Sequence, residues 1–211
     1  MKATFKLLAV LALMLATFSQ HTTVSAGGGG AFNFRGPSAL ASFSSTDPSS
    51  CIVTDVFVIA SDAVFQGEPG PSTVLSFASV TISKYNACTD TQLLFAYGSA
   101  SPLTKADFQV SKTLDSATLN VIANVFDERS GTTFDVNVNL SWTGAGLITR
   151  QESNTHFHSP GCFINSRSNG TFRSAEVSGS ISDGVTNFTP APSLDANIAS
   201  VKSGNVVIGC S

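Results

Sequence analysis

The sequence has few basic side chains and no cluster of them. It carries 11 lysines and arginines against 14 aspartates and glutamates, which gives a formal net charge of −3 at pH 7. Two of the lysines lie in the N-terminal segment described below, so the rest of the chain is more acidic still. Proteins that bind nucleic acid need positive charge concentrated on one surface. The composition therefore argues against nucleic acid as a partner.

Motifs of the common catalytic centres are also missing. The chain contains no G-x-S-x-G nucleophile elbow, no HExxH and no phosphate-binding glycine loop that leads into a helix. Asp127 and Glu128 are predicted to be solvated residues of a turn. A carboxylate pair for glycoside cleavage would have to come from glutamates far apart in the sequence: Glu68, Glu128, Glu152 and Glu176. These features favour a non-catalytic protein over an enzyme.

No hydrophobic run is long enough to cross a bilayer. The longest, Leu7–Phe18, is well short of the roughly 20 residues that a membrane helix needs. It follows Lys2 and Lys6 and precedes a small-residue stretch that ends at Ala26, which is the layout of a cleaved secretory signal. We predict a signal peptide over residues 1–26, no membrane span, and a soluble product that is secreted, periplasmic or on the cell surface.

Residues 27–50 are rich in glycine and serine, with two prolines. This composition is typical of flexible segments, and we predict a loosely packed leader here. The remainder, residues 51–211, is long enough to bury a core and is predicted to form a single domain.

The clearest pattern in the chain runs from Ala117 to Trp142. Apolar and polar residues alternate strictly from Thr133 to Trp142, and before the turn an apolar residue recurs at every second position: Ala117, Leu119, Val121, Ala123 and Val125. A period of two places all the apolar side chains on one face of a β-strand. The polar stretch Asp127–Gly131 interrupts the alternation and predicts the turn of a hairpin. Two registers keep the apolar faces together. One pairs Val125 with Thr132, and the other pairs Val125 with Phe134 and Ala117 with Trp142.

Further apolar stretches with turn residues between them predict an all-β fold, an antiparallel two-sheet sandwich of immunoglobulin-like or jelly-roll type. Thr149–Thr155 is polar on both faces, which predicts an edge or protruding position. For the last segment, residues 193–211, a hairpin at Ser203-Gly204 is favoured over a short helix. Other turns are predicted at Gly144–Gly146 and Asn169-Gly170.

The polar face of the central hairpin is the predicted binding surface. Its amide and hydroxyl groups carry little charge and suit a polysaccharide or another cell-surface polymer, although an ordinary solvated face has the same composition. The only tryptophan, Trp142, belongs to the apolar face, and the phenylalanines are interpreted as core residues. The predicted function is an exported binding protein or an envelope-associated structural protein. The predicted ligand-binding residues are Asn120, Asn124, Asp135, Asn137 and Asn139.

The alternative function is a metal-assisted hydrolase centred on His156 and His158. Two residues spaced in this way on a strand share a face and lie roughly 6.6 Å apart, which allows both imidazoles to reach one divalent metal ion. A third ligand is required, and Glu152 is too distant along the same strand. It would have to come from another part of the chain: Asp135, Glu176 or Asp183.

Four cysteines in an exported chain predict two disulfide bonds. Three connectivities are possible. If the three strands that follow Cys51 form a meander, Cys51 and Cys88 lie at the same end of a sheet. Cys162 opens a predicted strand and Cys210 closes the last one, so an antiparallel pair also brings these two together. We therefore predict Cys51–Cys88 and Cys162–Cys210.

Overall fold

The computed structural model describes residues 30–67, 72–159, 162–188 and 195–210. The predicted signal peptide, residues 1–26, lies outside these ranges. All regular elements in the described part are β-strands. They are β1 (Gly30–Asp47), β2 (Ile52–Gly67), β3 (Ser72–Asn86), β4 (Thr91–Ala100), β5 (Phe108–Val110), β6 (Ser116–Asp127), β7 (Thr132–Ser159), β8 (Cys162–Ser182) and β9 (Asp195–Cys210).

The strands form one antiparallel sheet in the order β4-β3-β2-β1-β9-β8-β7-β6-β5. The all-β prediction is confirmed. The described strands do not divide into the two sheets of the predicted sandwich, because β4 also pairs with β6, from Ala96–Asp127 to Ser99–Asn124. This pairing, which we call the seam, closes eight of the nine strands into a ring. A closed sheet of about this size has an interior just wide enough for side chains to fill it.

The central hairpin forms the best-packed wall of this ring. β6 and β7 pair in the second of the two predicted registers, with Val125 opposite Phe134 and Ala117 opposite Trp142. The alternating apolar side chains, from Ala117 to Val125 and from Phe134 to Trp142, point into the core, whereas Ile122 and Phe126 of β6 point outward. Trp142 is only 1% exposed, as predicted. Its indole Nε1 donates a hydrogen bond to the Leu40 carbonyl of β1, 2.8 Å away. Trp142 therefore reaches across the interior to a strand that does not neighbour its own.

A glycine in β4 allows the seam to close. A Cβ atom at Gly98 would lie 2.0 Å from the Asn124 carbonyl oxygen and 2.6 Å from the Val125 Cα atom. Both distances are far shorter than van der Waals contact, so the two backbones approach as only glycine permits. The absence of a side chain at Gly98 thus allows β4 and β6 to pair.

The prediction of a flexible leader is wrong for residues 30–47. These residues form β1, which pairs with β2 on one side and with β9 on the other, in the middle of the sheet. Ala39, Ala41 and Phe43 alternate along it and are buried in the core. Serines between the apolar residues conceal this alternation. Small side chains suit a strand that faces a crowded interior, and their composition resembles that of a linker.

The three turns predicted at glycine-containing sites do not form. Gly144–Gly146 lies inside β7, Asn169-Gly170 inside β8 and Ser203-Gly204 inside β9. The described part of the last segment, residues 195–210, is therefore one strand and forms neither a hairpin nor a helix. The strand register shifts at or near each of these sites. Such bulges favour the same residues as turns, since both use a locally irregular backbone or a close approach that glycine tolerates.

The second half of β7 lies at an edge. Beyond Thr143, the described part of the chain pairs β7 with β8 alone. The predicted edge segment, Thr149–Thr155, falls in this half, and most of its side chains are exposed. The prediction for this segment is confirmed.

The first predicted disulfide bond is present. Cys51 and Cys88 are bonded, with their Cα atoms 5.7 Å apart. Cys51 directly precedes β2, and Cys88 lies in the turn after β3. The bridge therefore ties this turn to the start of β2.

The second predicted disulfide bond should join Cys162 and Cys210, whose backbones are directly paired between β8 and β9. Opposite residues in an antiparallel pair have Cα atoms about 4.5 to 5.5 Å apart, which is within disulfide range. Peptide mapping without reductant should recover these two cysteines in one linked peptide. Their replacement by serine should lower the free energy of unfolding by about 2–4 kcal/mol. A peptide that links Cys162 to Cys51 would contradict this pairing.

Candidate functional site

The structure brings the five predicted ligand-binding residues together on one exposed face of β6 and β7. Asn120 is directly opposite Asn139, and Asn124 is directly opposite Asp135, with Asn137 between the two pairs. The side chains of all five are exposed. Asn124 donates a hydrogen bond from Nδ2 to Asp135 Oδ1 over 2.9 Å. Their shared position is established, and ligand binding by them stays a prediction.

Three exposed aromatic side chains lie beside these polar residues. Phe95 and Tyr97 project from β4 and Phe126 from β6, with exposed fractions of 36%, 40% and 38%. The Tyr97 ring centroid is 6.1 Å from that of Phe95 and 6.2 Å from that of Phe126, where the two rings meet edge to face. The interpretation of the phenylalanines as core residues is therefore wrong for Phe95 and Phe126.

The sequence of β4 carries a signal for this cluster. In β4 the small residues Ala96 and Gly98 alternate with the larger Phe95 and Tyr97. Ala96 is completely buried, which places the small residues toward the core and the aromatic ones outside. Large residues usually face the core, and β4 has the reverse pattern. The crowded seam favours it, because large side chains pointing inward from β4 would hold β4 and β6 apart.

The strand register places the aromatic cluster and the polar ladder on one continuous surface. Tyr97 is opposite Phe126, and two residues further along Ser99 is opposite Asn124, which is in turn opposite Asp135. Two residues along a strand correspond to roughly 6.6 Å. We call the surface made by Phe95, Tyr97, Phe126, Asn124 and Asp135 the aromatic–amide surface.

Asp127 holds the end of this surface in place. It is only 6% exposed, so the prediction of a solvated turn residue is wrong for Asp127, whereas Glu128 is exposed. Its carboxylate accepts hydrogen bonds from Ser130 Oγ at 2.7 Å, from the Arg129 backbone N–H at 3.1 Å and from the Phe95 backbone N–H at 3.3 Å. The Ser130 hydroxyl is the main cause that holds the pKa of Asp127 below its usual value, against the opposing effect of burial. The bond to Phe95 links the hairpin turn to β4.

The predicted metal site is not assembled by the described residues. His156 is exposed, with Nδ1 2.6 Å from Asn165 Oδ1. The backbone of His158 pairs with that of Phe163, and the His158 side chain lies outside the described part of the chain. Asp135 and Glu176 lie in the other half of the β7–β8 pair, and Asp183 accepts the backbone N–H groups of a turn beyond β8. Within the described ranges, no three histidine, cysteine, aspartate or glutamate side chains are grouped to hold a metal ion.

Metal addition should therefore leave the stability of the protein unchanged. A site at a hundredfold excess of metal over its dissociation constant would add about 2.7 kcal/mol to the free energy of unfolding. We expect no such gain with zinc, calcium or copper, and no loss with a chelator, in thermal melts monitored by circular dichroism. A clear rise in the melting temperature with one metal, reversed by the chelator, would restore the hydrolase hypothesis.

Comparison of the chain with protein-family models, curated proteins and solved structures gave no match. Among the described residues, no helix is long and apolar enough to cross a membrane.

Proposed function

We propose that this chain is an exported, non-catalytic binding protein whose ligand is a glycan or another largely uncharged polymer of a cell surface. The observation that carries the proposal is the aromatic–amide surface, where exposed rings adjoin a ladder of amide and carboxylate groups. Export is supported by the N-terminal sequence pattern and by the Cys51–Cys88 bridge, since disulfide bonds persist in oxidising compartments.

Sugars have the two kinds of surface that this arrangement matches. The C–H groups of a sugar ring form an apolar patch that can pack against the Tyr97 and Phe126 rings, while the hydroxyl groups at its rim can hydrogen-bond to Asn124 and Asp135. Tyr97 also has a hydroxyl group of its own, which suits a surface that is apolar at one end and wet at the other.

The shape of the surface favours a polymer over a single sugar. From Asn124 to Asn120 the outward face of β6 extends for roughly 13 Å, with the exposed Ile122 between the two amides, and Asp135, Asn137 and Asn139 follow the same length on β7. This length is enough for more than one sugar unit. The side chains stand on paired strands and not on loops, so their spacing is set before a ligand arrives. Asp135 is the only charged residue of the aromatic–amide surface, which favours a largely neutral ligand.

The test is affinity electrophoresis of the secreted protein in gels that contain neutral polysaccharides, followed by titration of the best ligand. Replacement of Tyr97 by alanine should weaken binding by about threefold to tenfold, in keeping with an aromatic contact of about 0.5–1.5 kcal/mol. Tyr97→Phe should retain most of the affinity. Combined Asn124→Ala and Asp135→Ala changes should weaken binding further by removing hydrogen bonds.

Phe163→Ala is the matched control, because Phe163 is an aromatic residue of similar exposure, 37%, on a different strand. This variant should bind like the unmodified protein. If no neutral polysaccharide retards the protein, or if the Phe163 and Tyr97 variants lose affinity equally, the proposal fails and an envelope-associated structural role takes its place.

A further inference from the structure

A second polar surface lies on a different part of the sheet. Asn33 of β1 is directly opposite Asn205 of β9, Asn205 is opposite Arg167 of β8, and Arg167 is opposite Asn154 of β7. Directly opposed residues point to the same side of a sheet, so the four side chains form one row across four strands. Adjacent strands are roughly 4.8 Å apart, which makes this row roughly 14 Å wide. We call it the Arg167 row.

A second row of polar side chains runs parallel to the Arg167 row. Two residues further along the strands, Ser203 is opposite Asn169, and Asn169 is opposite Glu152. The two rows line a hollow of about 600 Å³. A hollow of this size is within the usual range for small-ligand sites.

The opposite face of the same strands is packed, which keeps the rows in position. Val206 and Ser166, which neighbour Asn205 and Arg167 in sequence, are 2% and 7% exposed. The Phe34 ring lies against Gly204, where a Cβ atom would be only 2.3 Å from the ring, and it stacks on Phe65 with the centroids 6.1 Å apart. The backbone that carries Asn33, Arg167 and Asn205 is thus packed on its opposite face.

Several hydrogen-bonding groups in the hollow are not used within the described part of the chain. Asn205 Nδ2 donates to Asn33 Oδ1 over 3.1 Å, and Asn169 Nδ2 donates to Ser203 Oγ over 3.0 Å. These bonds orient the amides and leave the Asn33 amino group and Asn205 Oδ1 free. Within the described ranges the Arg167 guanidinium and the Glu152 carboxylate have no hydrogen-bond or ion-pair partner. The hollow therefore presents both donors and acceptors.

Two further arginines lie on the same side of the sheet as the rows. Arg35 lies two residues from Asn33 on β1, and Arg150 lies two residues from Glu152 on β7, so both arginines project on the same side as the rows. Both are exposed. Strand pairing thus groups three arginines and Glu152 from distant parts of the sequence. Asp62 of β2 lies on the same side as Arg35, two residues from Val64, which is opposite Arg35.

We propose that this hollow is a second binding site, distinct from the aromatic–amide surface, which takes a carboxylate-bearing saccharide such as a uronic acid unit. The planar guanidinium of Arg167 matches a carboxylate with two parallel hydrogen bonds. Hydroxyl groups of the sugar ring then bond to the Asn33 and Asn154 amides on either side of Arg167 and to the Glu152 carboxylate, which accepts only from a hydroxyl or amine donor. Among the described residues, no aromatic side chain lines the hollow, so recognition depends on polar contacts.

The test compares three probes on the full secreted protein by calorimetric or NMR titration: D-glucuronate, D-glucose and acetate. Glucose supplies the hydroxyl groups alone and acetate the carboxylate alone. Glucuronate should bind with a dissociation constant at least tenfold lower than that of either. Arg167→Gln should raise the glucuronate constant at least tenfold, and Arg167→Lys should have an intermediate effect because it keeps the charge and loses the planar fork.

Arg150→Gln is the matched control, because it removes an exposed arginine from the same side of β7 without touching the hollow. Arg150→Gln should change the glucuronate dissociation constant by less than threefold. Tyr97→Ala should leave this constant unchanged, whether or not the aromatic–amide surface binds a ligand. Equal losses in the Arg167→Gln and Arg150→Gln variants would show general attraction of anions and overturn the proposal. So would glucuronate binding no tighter than glucose or acetate, or binding that the Arg167 change leaves intact.

Discussion

Replacement of Trp142 by alanine is expected to lower the free energy of unfolding by about 3–5 kcal/mol, the usual range for removal of a large aromatic side chain from a packed core. Trp142 is 1% exposed and is among the largest fully buried side chains of the core. Its indole also bonds to the Leu40 carbonyl across the interior. β9 and β8 lie between β1 and β7, and their hydrogen-bonded ladders set the width of the interior, so the walls cannot move together to fill the void.

Urea unfolding followed by far-ultraviolet circular dichroism measures this loss without the tryptophan fluorescence signal. Trp142→Phe is the companion variant, since it keeps much of the apolar volume and removes the N–H donor. We expect it to lose about 1–3 kcal/mol, as for a buried carbonyl left without its partner. A loss below about 1 kcal/mol for Trp142→Ala would contradict the packed interior, because deletion from a tightly packed core costs more than that.

The second large effect is expected at Asp127. Replacement by alanine leaves the Phe95, Arg129 and Ser130 backbone N–H groups without their common acceptor. We expect a loss of about 2–4 kcal/mol in the free energy of unfolding at pH 7, because hydrogen bonds to a charged group are strong and stranded donors are costly. Since one of these bonds ties the turn to β4, the seam should loosen as well. Amide hydrogen exchange at Tyr97 and Gly98 should become faster than in the rest of the sheet.

The Asp127 contribution should depend on pH in one direction. The folded-state pKa of Asp127 is lowered from the ordinary value of 3.8. The unfolded chain therefore takes up the proton first, so the contribution is complete above the ordinary value and is lost as the pH falls through the lowered folded-state pKa. The difference in unfolding free energy between the unmodified protein and Asp127→Asn should be constant at neutral pH and shrink in acid. Glu128→Gln, a change at the exposed neighbouring residue, should show no such trend, and an equal trend there would contradict the assignment.

The amino-acid sequence by itself determined the features that depend on neighbours along the chain. Alternation from Ala117 to Trp142 specified the central hairpin, limited its register to two choices and placed Trp142 in the core, because a strand has a period of two whatever surrounds it. Only the tertiary structure chose between the two registers. The pairing of Cys51 with Cys88 followed from the order of strands near them, which is also a local property.

The ring, the seam and both candidate sites depend on contacts between distant residues. The serines of β1 mask its apolar alternation in the sequence. The strand is stabilised by pairing with β2 on one side and β9 on the other. The motifs Gly144–Gly146, Asn169-Gly170 and Ser203-Gly204 are compatible with a turn or with a bulge. They form bulges here because β7, β8 and β9 continue to pair on both sides of them. The exposed rings of Phe95 and Tyr97 follow from the crowded seam, where β4 turns the small residues Ala96 and Gly98 inward. The Arg167 row combines four strands, and sequence periodicity describes each strand but not which strands become neighbours.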